Sequence, residues 1–253
     1  MGIGKRICEI RKKCGMTQDE LANKLFVSDK TVSSWESERT EPSLDIVTNI
    51  SEILETPISY LIYGTDSKMD IETEIKIRLS EIEYNCLKEK LDKIAEFKSD
   101  SRQVDTYYQP TNKPFLKEGN EDVLDWLRIG IRGNKKILNY KHWYQNKYCD
   151  EYEVTIDDED NLDKIFKILD LEVIAVVDKR RLRYMYQDKY EISLDSVLEL
   201  GYFVEIEVKN YDLGPREEYD KLIEVVKAFN LNMKNIDKRG YPYHLIYKSK
   251  KSI

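Results

Sequence analysis

Ile71-Glu72-Thr73-Glu74-Ile75-Lys76-Ile77-Arg78-Leu79 alternates Ile, Thr and Leu with charged residues. In a β-strand, successive side chains point to opposite faces, so the charged residues of this stretch share one face. The alternation returns at Glu151-Tyr152-Glu153, Lys179-Arg180-Arg181 and Glu205-Ile206-Glu207. One face of the predicted sheet therefore carries both signs of charge, where a β-protein normally has its apolar core. Carboxylates hold Mg²⁺ and Lys or Arg hold phosphate oxygens, so the pattern favours chemistry on a metal-bound triphosphate or polyphosphate.

The composition is typical of a soluble protein with one large domain or two smaller ones. The 253 residues are 35% charged and 41% apolar, and the formal net charge is −7. That charge argues against a protein that coats nucleic acid non-specifically, although it allows a local DNA-binding face. No apolar run approaches the roughly 18 residues of a membrane span, and the N-terminus lacks the apolar segment of a signal peptide. The four scattered cysteines include no Cys-x-x-Cys pair, which predicts reduced thiols and a cytoplasmic protein.

Residues 1–64 are predicted to form an all-α domain of five short helices. Gly15 ends the first helix, because glycine tolerates the positive φ that follows many helices. Thr17-Gln-Asp-Glu20 is a capping box that begins the second helix, and Ser28 begins the third. Residues 65–70 are polar and lack apolar periodicity, so they are predicted to be a linker.

Four strings in this first domain carry a family resemblance: Ile10-Arg-Lys12, Met16-Thr-Gln-Asp-Glu-Leu-Ala22, Val27-Ser-Asp-Lys-Thr-Val-Ser-Ser-Trp-Glu36 and Arg39-Thr-Glu-Pro-Ser-Leu44. Together they closely resemble the Xre/lambda-repressor-like helix-turn-helix family. The resemblance implies that the third helix enters the major groove of double-stranded DNA. It implies base-edge contacts from Asp29, Lys30, Thr31 and Ser34, and phosphate contacts from Gln18, Ser37, Arg39 and, as a further candidate, Arg11. A homodimer is expected, because one module of this size reads only a short half-site.

An alternative is that this module contacts another protein. Residues 1–64 hold 8 Lys and Arg against 10 Asp and Glu, so the module is not basic. In that case Ser28 and Thr31 only cap and solvate their helix. DNA binding is the favoured interpretation, since short polar side chains at a helix start approach bases closely and Asp29 can accept a hydrogen bond from a cytosine amine.

Residues 71–253 are predicted to form a second domain. Strands are expected at 71–79, 103–109, 123–132, 136–143, 150–156, 173–177, 181–187, 190–194 and 201–208, with helices at 81–97, 162–171 and 216–230. This order predicts an α+β architecture, an antiparallel eight-stranded barrel with an open, tunnel-like lumen and flanking helices. Closing such a sheet removes its exposed edges.

Eight motifs follow one another in this second domain: Glu72-x-Glu74-x-Lys76, Gln103-x-Asp105-x-Tyr107, Leu127-Arg128-Ile129, Leu138-Asn-Tyr-Lys141, Glu151-x-Glu153, Lys179-x-Arg181, Leu194-Asp195 and Leu200-Gly-Tyr-Phe-Val-Glu205-Ile-Glu207. Together they resemble the CYTH superfamily, the triphosphate tunnel metalloenzymes. The Gln103 motif and the interval from Asp195 to Glu205 are most similar to its class IV adenylyl cyclase branch. The resemblance covers about residues 71–250.

The resemblance implies a tunnel that binds a triphosphate together with Mg²⁺ or Mn²⁺. Its acidic metal-binding set would be Glu72, Glu74, Glu153, Asp195, Glu205 and Glu207, with Asp195, Glu205 and Glu207 expected nearest the metal. Phosphate oxygens would be bound by Lys76, Arg128, Arg132, Lys141, Lys179, Arg181 and Lys238. The catalytic residues would be Glu74, Lys76, Arg128 and Lys141, with Glu74 transferring a proton or orienting a metal-bound water.

The chain departs from the family pattern on the Arg128 strand. The family often has a second cation where this chain has Gly130. Arg132 lies two residues further on, on the same strand face, and is a candidate to replace that cation. Asn139 and Gly240 also stand where hydroxyl residues are usual.

Three functions stay open at this point. The leading hypothesis is a cyclase that converts ATP to cyclic AMP and pyrophosphate. The second is a triphosphatase that acts on inorganic triphosphate, thiamine triphosphate or a nucleoside triphosphate. The third is a transcriptional regulator whose tunnel only senses a nucleotide or triphosphate. A single Glu-x-Glu is more often a solvated strand face, but eight ordered motifs and a nearly complete acidic set favour an enzyme.

Overall fold

A computed structural model of the protein describes residues 2–64, 71–116, 119, 123–157 and 159–247. The chain divides into two compact units. The first contains the residues up to Ile71 together with Tyr211–Glu217, and the second contains Glu72–Asn210 and the residues from Glu218 onward. The predicted linker at 65–70 lies outside the described residues.

The first unit contains the five α-helices that the sequence predicts. They are α1 Ile3–Lys13, α2 Gln18–Leu25, α3 Asp29–Glu36, α4 Leu44–Leu54 and α5 Ile58–Tyr63. Thr17 and Glu20 form the capping box of α2, and the Ser28 side chain accepts a hydrogen bond from the Thr31 N–H at the start of α3. Apolar side chains from all five helices meet in one buried core that includes Ile7, Leu21, Val32, Trp35, Ile50 and Leu61.

The segment Tyr211–Glu217 is the second piece of chain in this first unit. Tyr211 packs, partly buried, against the helical core, and Glu217 forms an ion pair with Lys13 of α1. The chain therefore crosses between the two units three times, after Ile71, Asn210 and Glu217.

The second unit is built on a closed barrel. Its strands are β1 Ile71–Leu79, β2 Glu96–Pro110, β3 Asp125–Arg132, β4 Lys135–Tyr144, β5 Tyr148–Ile156, β6 Leu171–Tyr186, β7 Tyr190–Val197 and β8 Gly201–Val208. They close in the order β1-β5-β4-β3-β2-β6-β7-β8. The helices are α6 Glu81–Ile94, α7 Glu159–Ile168, α8 Pro215–Ala228, whose first turn lies in the first unit, and α9 Gly240–Tyr247, with a 3₁₀ turn at Met233–Asn235. The predicted eight-stranded antiparallel barrel with flanking helices is confirmed.

Strand β6 corrects one sequence prediction. The sequence indicated two strands, 173–177 and 181–187, separated by a charged run, whereas β6 is a single strand of 16 residues. It pairs with β2 through that run. Asp178 and Arg180 face outward and form ion pairs with Arg102 and Asp100 of β2. Lys179 and Arg181 face the lumen. The charged side chains on both faces of β6 have partners of opposite charge, so the strand continues through residues 178–181.

The lumen changes character along the barrel. On several strands the inward-facing positions pass from charged residues to apolar ones towards the same end. Tyr107, Trp126, Val177, Val197 and Phe203 form a buried cluster there with Tyr241 of α9. The Tyr241 and Phe203 rings pack edge to face with their centroids 4.9 Å apart. An apolar plug therefore fills one end of the tunnel, and the charged residues line the remainder.

Among the described helices, none is long and apolar enough to cross a membrane.

Candidate functional site

The barrel lumen is a cavity of about 640 Å³ to which all eight strands contribute side chains. Its acidic lining is Glu72, Glu74, Glu151, Glu153, Glu191, Glu205, Glu207 and Asp237. Its basic lining is Lys76, Arg128, Arg132, Lys141, Lys179, Arg181, Arg183, Lys209 and Lys238. Every cation that the sequence placed in the phosphate-binding set therefore lies at this cavity, as do all members of the acidic set except Asp195.

Three carboxylates lie close enough to share one metal ion. Glu72, Glu205 and Glu207 each offer an oxygen within 4.8 Å of the others. Burial, and then the charge of Glu72, raises the pKa of Glu207 well above its usual range. Burial also opposes ionisation of Glu205, but Arg181 and Lys76 outweigh it and hold the pKa of Glu205 well below its usual range. Crowded oxygen donors of this kind fit Mg²⁺ or Mn²⁺, which prefer carboxylates and would relieve the repulsion.

Asp195 is not part of this group, although the sequence placed it nearest the metal. Its two oxygens accept hydrogen bonds from Arg181 at 2.7 and 2.6 Å, and one of them also accepts from the Tyr241 hydroxyl at 2.8 Å. Lys179 Nζ lies 3.4 Å away. Glu72 takes the place expected for Asp195 in the group, because β1 and β8 are neighbours in the closed sheet. Glu153, another predicted ligand, is an exposed residue of β5 outside the group.

The cations are held between carboxylates. Lys76 Nζ lies 3.1 Å from Glu74 and 3.2 Å from Glu205. Lys141 forms an ion pair with Glu72 and lies 3.5 Å from Glu151. Arg181 Nη1 lies 2.9 Å from Glu205. Lys238 differs from these residues, because it is exposed at the edge of the cavity.

Asp105 and Glu151 are site residues that the sequence-based assignment left out. Asp105 is fully buried, and it faces Arg132 Nη2 at 2.6 Å, Arg128 Nη1 at 3.5 Å and Lys179 Nζ at 3.9 Å. Burial opposes its ionisation, but Arg128, Lys179 and Arg132 outweigh burial and lower the pKa of Asp105 to about 2. Both residues stand in motifs that the sequence singled out, and the alternation of inward positions in Gln103-x-Asp105-x-Tyr107 was a signal that could have found Asp105.

Two buried groups titrate near neutrality. Burial, and then the charge of Glu205, raises the pKa of Glu74 to about 7. Burial, and then the charge of Arg181, lowers the pKa of Lys179 to about 8. Strongly shifted values of this kind are enriched at sites of chemistry, although ion-pair networks also cause them.

Most of the predicted DNA-contacting residues lie on α3 and just after it. Asp29, Lys30, Ser37 and Arg39 are exposed, and Thr31 and Ser34 are partly exposed. The Ser34 hydroxyl is within 2.9 Å of the Thr40 hydroxyl. The residues chosen from the family positions thus share one region of the first unit.

Arg11 is placed differently from the rest of that set. Its guanidinium is buried and forms a two-point ion pair with Glu36 at 2.5 and 2.8 Å, and it also donates to the Met16 carbonyl at 2.5 Å. Gln18 donates to the same Glu36 carboxylate at 2.7 Å. This placement gives Arg11 a structural role that joins α1 to α3, and it does not support a phosphate contact by Arg11.

Each of the two parts of the chain matches a known family: the barrel with its charged lumen matches one, and the helical unit before it matches another. The CYTH domain model matches residues 70–241, so the chain belongs to the CYTH family, whose domains are metal-dependent tunnel enzymes. A helix-turn-helix model matches residues 9–61.

Individual relatives resemble the two parts separately. The candidate adenylate cyclase MJ0240 of Methanocaldococcus jannaschii is 30% identical over 176 residues, which cover 68% of this chain and 96% of that protein. The structure of the PH1819 protein from Pyrococcus horikoshii has a TM-score of 0.60 and 26% identity, and the match covers 70% of this chain and 99% of that one. The HTH-type transcriptional regulator ImmR of Bacillus subtilis is 31% identical over 75 residues, which cover 30% of this chain and 59% of ImmR.

The carboxylate group gives a prediction for metal binding. Glu207→Gln should lower the affinity for Mn²⁺ by about tenfold or more, because it removes one charged ligand from three. Titration of free Mn²⁺ by electron paramagnetic resonance measures the change. Glu153→Gln is the matched control and should leave the affinity nearly unchanged, since Glu153 lies outside the group. An equal loss in both variants would contradict this assignment of the ligands.

The buried Arg11–Glu36 pair gives a prediction for stability. Burial raises the pKa of Glu36, but hydrogen bonds from Arg11 and Gln18 outweigh it and leave the pKa below its usual range. Ionised Glu36 therefore stabilises the first unit at pH values above the pKa of about 4.3 of an unfolded Glu. This stabilisation is lost as the pH falls through the lower pKa that Glu36 has in the folded protein. Glu36→Gln should destabilise the first unit by about 2 kcal/mol at pH 7, and the difference should shrink below about pH 4.

Scanning calorimetry of both proteins between pH 7 and pH 3 checks this expectation. Glu38→Gln is the control, because Glu38 forms only a partly exposed pair with Lys5 at 3.5 Å. A difference between wild type and Glu36→Gln that stays constant with pH would show that ionised Glu36 does not supply the stabilisation.

Proposed function

We propose that the second unit is an adenylyl cyclase of the class IV type, which converts ATP to cyclic AMP and pyrophosphate with a divalent metal. We also propose that the first unit binds a specific double-stranded DNA sequence. One observation carries the first proposal: three carboxylates within 4.8 Å of one another share a lumen with seven cations expected to bind phosphate. The likeness to MJ0240 across 96% of that protein supports the choice of a cyclase.

The cations are arranged to receive a chain of phosphates. Lys76 and Lys141 each lie among carboxylates of the lumen. Each ammonium group has one partner in the metal group, Glu205 for Lys76 and Glu72 for Lys141, and would donate to a phosphate oxygen in place of that carboxylate. Arg128 and Arg181 add planar guanidinium groups, which hold two oxygens of a phosphate at once.

Glu72, Glu205 and Glu207 would hold Mg²⁺ or Mn²⁺ through their carboxylate oxygens. A bound metal ion would neutralise charge on the phosphates. Glu74, buried beside Lys76, is the candidate acceptor for the proton of the ribose 3′-hydroxyl. The freed oxygen attacks the α-phosphorus, the bond from that phosphorus to the bridging oxygen of the β-phosphate breaks, and pyrophosphate leaves on the arginines.

Two alternatives use the same lumen. A triphosphatase would place water, and not a ribose hydroxyl, in line with a phosphorus, usually the terminal one. A regulator would bind the triphosphate without turnover, and chain connectivity supports this reading: β8 carries Glu205 and Glu207, ends at Val208 and is followed by the segment Tyr211–Glu217 of the first unit. Ligand binding at β8 could then bias DNA binding, and linkage would make the effect reciprocal.

Product analysis separates these functions. Incubation with ATP and Mg²⁺ or Mn²⁺ should yield cyclic AMP and pyrophosphate by mass spectrometry, and Glu205→Ala should abolish that turnover because it removes one carboxylate of the metal group. Orthophosphate without cyclic nucleotide would assign a triphosphatase. Binding of inorganic tripolyphosphate without any turnover would assign a regulator. Normal turnover by Glu205→Ala would remove Glu205 from the metal group.

The DNA-binding proposal is tested on α3. Lys30→Ala should weaken binding to a DNA site selected from a random library by about tenfold to hundredfold, which is the usual worth of one base-edge contact. Fluorescence anisotropy at constant salt measures the affinity. Lys12→Ala on α1 is the control, because it removes the same charge from an exposed position outside the predicted set. Equal losses in both variants would indicate a non-specific charge effect and contradict the role of Lys30.

We further propose that the protein binds DNA as a homodimer and acts in the cytoplasm. A single helix-turn-helix unit buries little surface on DNA, and a second copy doubles the site that is read.

A further inference from the structure

We infer that Gly130 and Arg132 act as a pair in which the missing side chain at 130 makes room for the Arg132 guanidinium, and that Arg132 thereby supplies the phosphate-binding cation that β3 lacks at position 130. The inference rests on the proposal that the lumen binds a triphosphate. It does not depend on which reaction follows.

The space above Gly130 is already occupied. A Cβ atom at this position would lie 2.7 Å from Asp105 Oδ1 and 3.0 Å from both Nη1 and Nη2 of Arg132. Real Cβ atoms essentially never approach other atoms to less than 3.0 Å. The shortest of these contacts is with Asp105, and the Arg132 guanidinium lies at the 3.0 Å limit, so glycine at 130 makes room for the Asp105–Arg132 ion pair against the β3 backbone.

The guanidinium reaches that space from two residues along the same strand. Gly130 is paired with Asp105 in the β2–β3 register, and Arg132 is paired with Gln103. From there Arg132 turns back, donates to the Ile131 carbonyl at 3.0 Å and forms an ion pair with Asp105 at 2.6 Å. Its charge thus lies over position 130, although its backbone does not.

The local charge balance favours an anion. Asp105 is one carboxylate facing three cations, Arg128, Arg132 and Lys179. Asp105 stays ionised because those cations outweigh its burial. Lys179 lies closer to Asp195, at 3.4 Å, so Asp105 is left with the guanidinium groups of Arg128 and Arg132, one positive charge in excess. Arg132 is 23% exposed at the cavity. A phosphate oxygen of inorganic triphosphate or of a nucleoside triphosphate has the charge that fits there.

Binding of inorganic tripolyphosphate to the full chain, measured by titration calorimetry with Mg²⁺ present, tests the pair. Arg132→Ala should weaken binding by about tenfold to hundredfold, the usual loss for a hydrogen bond between charged groups. Gly130→Ala should cause a loss of similar size, because its Cβ displaces the same guanidinium. The double variant should bind no more weakly than Arg132→Ala alone, since the two changes remove one interaction.

A relocated charge gives a second, independent test. The G130R/R132A double variant moves a guanidinium to position 130 and removes the Arg132 side chain, while Asp105, whose carboxylate must shift from its 2.7 Å approach, stays as the ion-pair partner. It should bind tripolyphosphate within about threefold of wild type. Arg102→Ala is the matched control: it breaks an Arg–Asp pair of the same kind on the outer face of β2, where Arg102 is 75% exposed, and it should leave binding unchanged. Melting temperatures of all variants identify any that fail to fold.

The outcomes are distinct. Unchanged binding by Arg132→Ala, additive losses in the G130A/R132A variant, or no recovery in a folded G130R/R132A variant would each overturn the inference. If wild type binds no tripolyphosphate, the proposed function of the lumen fails as well. Tripolyphosphate binding that depends on Arg132, in a protein that makes no cyclic AMP, would support this inference and overturn only the cyclase.

Discussion

The structure depends on mutual neutralisation of charges inside a closed barrel. Asp105 and Asp195 have no exposed surface, and an ionised carboxylate in such a place is tolerated only when cations and hydrogen-bond donors surround it. Each of the two faces at least two cations from other strands. The pairing also favours one strand register, because a shift by one residue would exchange inward-facing and outward-facing positions and separate these partners.

The same network prepares the lumen for a ligand. Glu72, Glu205 and Glu207 repel one another, whereas Arg128, Arg132 and Lys179 outnumber Asp105. Each of the three glutamates also has a cation partner, Lys141, Lys76 or Lys209, so it is the grouping of like charges that suits a divalent metal at one place and phosphate oxygens at another. Such a separation of charge costs stability in the absence of ligand, which is typical of sites that bind or transform a substrate.

Much of the fold could be predicted because its signals are local. Capping residues placed the helices of the first unit, and the period-two alternation placed most of the strands. The errors arose where contacts distant in sequence decide the outcome. The predicted strand bounds left out residues 178–180, whose outward side chains find their partners in Arg102 and Asp100 of β2. Arg11, which the family resemblance makes a candidate for a phosphate contact, is buried and forms an ion pair with Glu36 of another helix. No local pattern contains either partner.

The sequence by itself determined that the chain has a helix-turn-helix module followed by strands whose inner face is charged, because capping and alternation depend on neighbouring residues. The family resemblance of the motifs also pointed to seven cations of the lumen, although Arg183 and Lys209 line it as well. Only the tertiary structure decided how those residues group. The closed sheet joins β1 to β8, which brings Glu72 to Glu205 and Glu207 and leaves Asp195 to the arginine and lysine of β6. Distances across a barrel depend on strand order and register, and neither can be read from the spacing of residues along one strand.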